Sequence, residues 1–177
     1  MSTQRPLEVD EIAVEISDTQ AHLAVDRDWA AGVVRATLRA EGVGRAAISV
    51  ALTDDASIRV INARHLGHDY ATDVISFLLS DDGDAELVGD LVISAEMAAR
   101  VAAEVGVAPR DELALYMVHG LLHLCGYDDH EVDDVATMRG REAAILGSLT
   151  PAGAASLAKV APAVAGERDR ECVRWPR

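Results

Sequence analysis

A single α+β domain, built on a mixed sheet of about four strands with about five helices, is the fold class this sequence predicts. Three observations lead to it. Short β-branched segments at 12–17, 47–53, 73–78 and 87–93 are interspersed with longer segments of helical period. The run from Leu113 to Leu124 is almost wholly apolar, so one central helix must be buried nearly all round. The patterning stops at Leu149, after which three prolines, many alanines and a mixed-charge end follow. That change bounds the domain to residues 1–149 and marks 150–177 as a flexible tail.

The elements follow in order. Residues 12–17 alternate as a first strand. Residues 25–41 read as a helix with Val25, Trp29, Val33 and Leu38 on one side, broken by Gly42 and Gly44. Residues 47–53 are a second strand. Asp54 or Asp55 caps a helix that runs to about His65 and turns Ile58 and Ile61 inward. The segments 73–78 and 87–93 form two more strands around the acidic turn Ser80 to Glu86. Ser94 is an N-cap for a helix over 95–105, and a linker with Gly106 and Pro109 leads into the apolar helix, about 110–124. A last helix, about 131–147, buries Val132, Val135, Met138 and Leu146. No internal repeat interrupts this order.

Composition narrows the class. Half of the 177 residues are hydrophobic but only 3% are aromatic, so Ala, Val, Leu and Ile must build the core. No apolar stretch reaches the length of a membrane span, and residues 1–10 lack a secretion-signal pattern, so a cytoplasmic protein without a membrane partner is expected. In that reducing compartment Cys125 and Cys172 do not suggest a disulfide. The net charge is −14, an adverse background for nonspecific nucleic-acid binding, which phosphate neutralisation drives. A local basic face remains open to Arg27, Arg35, Arg39, Arg45, Arg59 and Arg64, or these are ordinary solvated side chains.

Three of the six histidines, His119, His123 and His130, share one short segment. On a helix, positions four apart sit about 40° past a full turn and about 6 Å along the axis, so His119 and His123 leave the same face. Burying two imidazoles in an apolar run costs free energy unless they are paired or coordinated. Gly126 can stop the helix in the left-handed conformation and let the chain fold back, bringing His130 to the same ion. Three such ligands suit one zinc ion with an open fourth position, though other divalent transition metals accept imidazole too. A hydrogen-bonded core cluster is the competing reading. Gly120 stands where the two-histidine zinc peptidase helix carries its glutamate base, which counts against a peptidase.

The string His119-Gly120-Leu121-Leu122-His123-Leu124-Cys125-Gly126-Tyr127-Asp128-Asp129-His130 resembles the signature of the YbeY family, bacterial endoribonucleases and rRNA maturation factors. A second block, Asn62 to Phe77 with Leu66-Gly67-His68-Asp69 and Thr72-Asp73-Val74-Ile75-Ser76, is similar to that family's, as is Gly89-Asp90-Leu91-Val92-Ile93-Ser94. The resemblance covers roughly residues 10–147. Two positions depart from it. Two aspartates stand before the third histidine where the commonest form has one, so His130 comes one residue late. The arginine that the family carries before the glycine falls on Leu66, with Arg64 and Arg59 as the candidates to replace it.

The resemblance implies a zinc-dependent, single-strand-specific endoribonuclease that acts in late processing of the 3′ end of small-subunit rRNA and in ribosome maturation. His119, His123 and His130 would hold one ion that activates a water and polarises a phosphodiester oxygen. Asp128 and Asp129 would orient the rings or accept a proton, and Arg64 would assist the chemistry. Arg59, Arg64 and His68 would contact substrate. The partners it implies are single-stranded RNA and the small ribosomal subunit with its assembly factors. The alternative is an assembly factor whose metal is mainly structural and whose nuclease activity is weak or absent.

Overall fold

The structure, a computed structural model, describes residues 11–149 and the backbone of 172–174. β1 (Glu11–Asp18) turns Ile12, Val14 and Ile16 toward the core and Glu11, Ala13, Glu15 and Ser17 to solvent. α1 (Arg27–Ala40) starts where an Asp26 carboxylate oxygen accepts from the Asp28 and Trp29 amides. β2 (Arg45–Thr53) buries Ala46, Ile48, Val50 and Leu52. α2 (Asp55–Leu66) is capped by Asp54, not Asp55, and ends at Gly67, whose φ of 77° is left-handed. Asp55 instead accepts from the Ser94 hydroxyl and from Arg100.

β3 (Val74–Leu78) and β4 (Leu87–Ser94) form an antiparallel hairpin around the acidic turn. Ser94 caps α3 (Ala95–Val105), its hydroxyl accepting from the Met97 amide. α4 (Pro109–Leu124) begins with a proline in its first turn, where the missing amide hydrogen has no intrahelical role. α5 (Val132–Leu149) closes the domain. The sheet order is β1-β2-β4-β3-β5, with β1, β2 and β4 parallel and β3 antiparallel to β4. The four strands and five helices expected from the sequence are present.

The fifth strand was not expected. β5 (Cys172–Arg174) lies within the segment read as a tail and pairs parallel with β3, Phe77 opposite Val173. Three residues carry too little alternation to signal a strand. The rest of 150–177 lies outside the described residues. A second correction concerns α5. Val132 is 84% exposed and Val135 half-buried, while Met138, Glu142, Ile145 and Leu146 form the buried stripe. Val132 sits at the first residue of the helix, before that stripe reaches α4.

Side-chain alternation on β3 and β4 divides the core. Val74, Leu91 and Ile93 face α4, and Ile75, Phe77 and Val92 face Ile58 of α2. α4 therefore lies close against one face. A Cβ added at Gly120 would meet Leu91 Cδ2 and Val74 Cγ2 at 2.9 Å and Ser76 Oγ at 3.0 Å. The Ser76 hydroxyl also donates to the Gly120 carbonyl at 3.1 Å. Glycine at this position lets the helix backbone approach the sheet, and that fixes the height of its neighbour His119. Among the described residues no helix is long and apolar enough to cross a membrane.

Candidate metal centre

Burial of α4 from Glu112 to Leu124 places both histidines inside the protein, His119 at 1% and His123 at 5% exposure. Each ring is anchored by its Nδ1. His119 Nδ1 lies 2.6 Å from Glu142 Oε1, and His123 Nδ1 donates to the Tyr127 carbonyl at 3.0 Å. A carbonyl only accepts, so His123 Nδ1 carries the hydrogen, and a carboxylate beside His119 Nδ1 favours the same tautomer there. Both Nε2 atoms then present lone pairs, and they approach to 2.8 Å. At that separation two lone pairs are held together by a shared proton or by a metal cation between them. Asp129 completes the group, Oδ2 at 3.5 Å from His119 Nε2 and Oδ1 at 3.7 Å from His123 Nε2. Two imidazole nitrogens and a carboxylate fit a divalent transition metal.

The local chain explains why these atoms meet. α4 ends with Cys125, and Gly126 adopts φ 96°, the left-handed stop expected from the sequence. The Gly126 amide donates to the His123 carbonyl, and the Tyr127 amide to the Leu122 carbonyl, both at 3.0 Å. Tyr127 is also held from outside, its hydroxyl donating to Glu41 Oε2 at 2.9 Å while Arg141 Nε donates to Glu41 Oε1 at 3.0 Å. The Glu41 carboxylate pushes the Tyr127 phenol above its ordinary value. Cys125, beside this network, has its thiol pushed up to about 12, by burial first and then by the Glu41 charge. It behaves as a packed apolar residue.

The other expected site residues are distributed around this centre. His130 is exposed, and its Nδ1 pairs with Asp128. That hydrogen bond is the main cause holding the Asp128 carboxyl below its usual range. Asp128, Asp129 and His130 form a second cluster of potential ligands, sharing Asp129 with the first. Arg59 and Arg64 lie on α2, across the sheet from α4. With Ala56, Val60, Ala63 and Asp69 they line a shallow groove of about 660 Å³. Arg59 grips Asp69 with two hydrogen bonds, 2.8 and 3.0 Å, which lowers the Asp69 carboxyl below its usual range.

His68 stacks on Tyr70, with ring centroids 5.4 Å apart. Leu66 packs against the cluster of Ile58, Ile75, Phe77 and Val92. Of the six arginines considered for a basic face, Arg45 pairs with Glu11 and Arg35 Nε donates to the Ile12 carbonyl.

Two groups were missed by sequence reading. Glu142 had a readable signal: a carboxylate spaced with Met138, Ile145 and Leu146 on the buried stripe of α5. The Tyr127 carbonyl had none, because a backbone acceptor leaves no trace in residue type.

Comparison with known proteins agrees with the motifs. A family model described as Endoribonuclease YbeY matches residues 11–150. The chain is 38% identical over 146 residues to the endoribonuclease YbeY of Carboxydothermus hydrogenoformans, covering 82% of this chain and 92% of that protein. With that of Pelotomaculum thermopropionicum it shares 39% over 146 residues, covering 77% and 96%. With that of Rhodospirillum rubrum it shares 42% over 108 residues, covering 57% of this chain and 54% of that protein. The solution structure of TM1509 from Thermotoga maritima superposes with a TM-score of 0.57 at 20% identity, covering 89% of this chain and 99% of that one, which shows a common fold.

Proposed function

The chain belongs to the endoribonuclease YbeY family, and from that premise we propose that it is a metal-dependent, single-strand-specific endoribonuclease of the cytoplasm. Its proposed substrate is ribosomal RNA near the 3′ end of the small-subunit species, and its proposed partners are that subunit and its assembly factors. One observation carries the metal dependence: His119 and His123 are each anchored through Nδ1 and turn their Nε2 atoms toward one point, with Asp129 beside them. Three-ligand N and O sets of this kind suit zinc first.

A divalent ion held there supplies Lewis acidity toward a phosphodiester oxygen. The protein's own groups do the rest. Glu142 and the Tyr127 carbonyl fix ring tautomer and orientation. Asp128, ionised at neutral pH and exposed beside His130, is the proton acceptor at the rim. Arg64 on α2, on the sheet face opposite α4, binds RNA phosphate at a distance from the ion, with Arg59 and His68 extending the contact. Arg59 does so at the cost of its Asp69 pair, and such an exposed pair contributes little to stability.

Cleavage of a single-stranded RNA, with and without chelator and with His123→Ala, tests this reading. Loss of cleavage on chelation and in the variant is expected. Equal cleavage in all samples rules it out.

A second reading, an assembly factor with a mainly structural metal, is favoured by Leu66. That side chain packs into an apolar cluster and offers a phosphate nothing. Under that reading chelation lowers the unfolding temperature sharply, and clean wild-type protein cleaves no RNA.

A further inference from the structure

We infer that Asp129, and not His130, is the third protein ligand of the ion. This rests on the metal-dependent reading above and concerns which of this chain's own residues complete the site.

The register of the loop decides it. Tyr127 is pinned at both ends of its peptide unit, its amide to the Leu122 carbonyl and its carbonyl to His123 Nδ1, and its hydroxyl is tied to Glu41. Position along the loop is therefore counted from a fixed residue. From that point successive side chains alternate in direction. Asp128 and His130 share the outer side, where they are 57% and 67% exposed and pair with each other. Asp129 points inward and is 18% exposed. The additional aspartate before His130 is not taken up by a bulge. The inward position falls on Asp129, and the histidine passes to the outside.

The carboxylate distances agree, while the two Nε2 atoms, 2.8 Å apart, must spread by about 0.5 Å to admit an ion. Ligand atoms about 2.0–2.1 Å from a tetrahedral ion lie about 3.3–3.4 Å from one another. The Asp129 oxygens are 3.5 and 3.7 Å from the two Nε2 atoms. A carboxylate there also offsets part of the charge that a divalent ion brings into a buried pocket, which a third imidazole would not do. The resulting two-histidine, one-carboxylate set leaves a position open for substrate or water.

The test measures ion binding directly. Co2+ is titrated into full-length wild type, Asp129→Ala, Asp129→His, His130→Ala and His123→Ala, with affinity read by chelator competition and coordination by the visible d–d spectrum. Asp129→Ala is expected to weaken binding about 100-fold and alter the spectrum, an effect at or above the range for orienting residues. His130→Ala stays within about threefold of wild type with an unchanged spectrum, a difference below 1 kcal/mol. Asp129→His retains tight binding with a spectrum shifted toward an all-nitrogen set. Weak binding in His130→Ala with wild-type behaviour in Asp129→Ala overturns the inference and leaves the metal site standing. Wild type that binds no Co2+, or no weaker in His123→Ala, removes the metal reading itself and this inference with it.

Discussion

Glu142 Oε1 lies 2.6 Å from His119 Nδ1, and both side chains are buried, so this contact ties α5 to α4 behind the ion-facing edge of the ring. Removing the carboxylate in Glu142→Ala leaves a buried imidazole without this acceptor. Ion affinity is expected to fall about 10–100-fold, and stability by about 1–3 kcal/mol. Glu142→Gln keeps an acceptor and loses less of both. Chelator competition and urea unfolding on the same samples separate the two effects.

Gly120→Ala sets helix propensity against packing. Alanine favours a helix interior by about 1 kcal/mol over glycine. Its methyl would stand 2.9 Å from Leu91 Cδ2 and Val74 Cγ2, inside van der Waals contact. Overpacking of this kind costs about 1–3 kcal/mol, so packing wins and the variant is expected to be less stable, with a lower urea midpoint and an unchanged slope. A midpoint above wild type would show that the helix does not press on the sheet here.

The Tyr127–Glu41 bond makes a prediction about pH. The phenol is raised in the folded protein, first by its hydrogen bond to Glu41. A group raised on folding contributes stability that is complete below its unfolded pKa and is lost as pH climbs through the folded value. The alkaline limb of stability should therefore depend on this contact. Glu41→Gln removes the carboxylate charge. Phenolate absorbance assigned to Tyr127 by comparison with Tyr127→Phe should then appear at lower pH than in wild type. No shift would mean that Glu41 does not govern the phenol.

Cys125 should be inert. With its thiol pushed up to about 12, only about one molecule in ten thousand is thiolate at pH 8, and the thiolate is the nucleophile. Alkylation followed at the Cys125 peptide should be slow in native protein and fast in denaturant. Rapid native labelling would contradict its placement against Glu41.

The fold was legible where short-range chemistry dictates it. Alternation marked β1 to β4, Asp54 and Ser94 announced helix starts, and Gly126 announced the stop of α4. The two helical histidines were legible because four-residue spacing fixes their common face. What failed to show depends on residues distant in the chain. Glu142 reaches His119 from another helix, and β5 exists only through its pairing with β3. Val132 reads as core by residue type, yet it sits at the first residue of α5, ahead of the stripe that packs on α4. Loop register after Tyr127 is set by hydrogen bonds of its backbone and hydroxyl, not by residue type, which is why Asp129 and His130 were separated only by the structure.

In the metal-dependent reading the Nε2 atoms of His119 and His123 converge on one metal ion. Metal content per chain in the full-length protein, purified without chelator and then dialysed, measures it most directly. About one divalent transition-metal ion per chain is predicted, falling to near zero in a His119→Ala, His123→Ala double variant. Wild-type protein that carries no such ion, and takes none up from a zinc-supplemented buffer, would contradict it and leave the paired rings as a hydrogen-bonded core cluster.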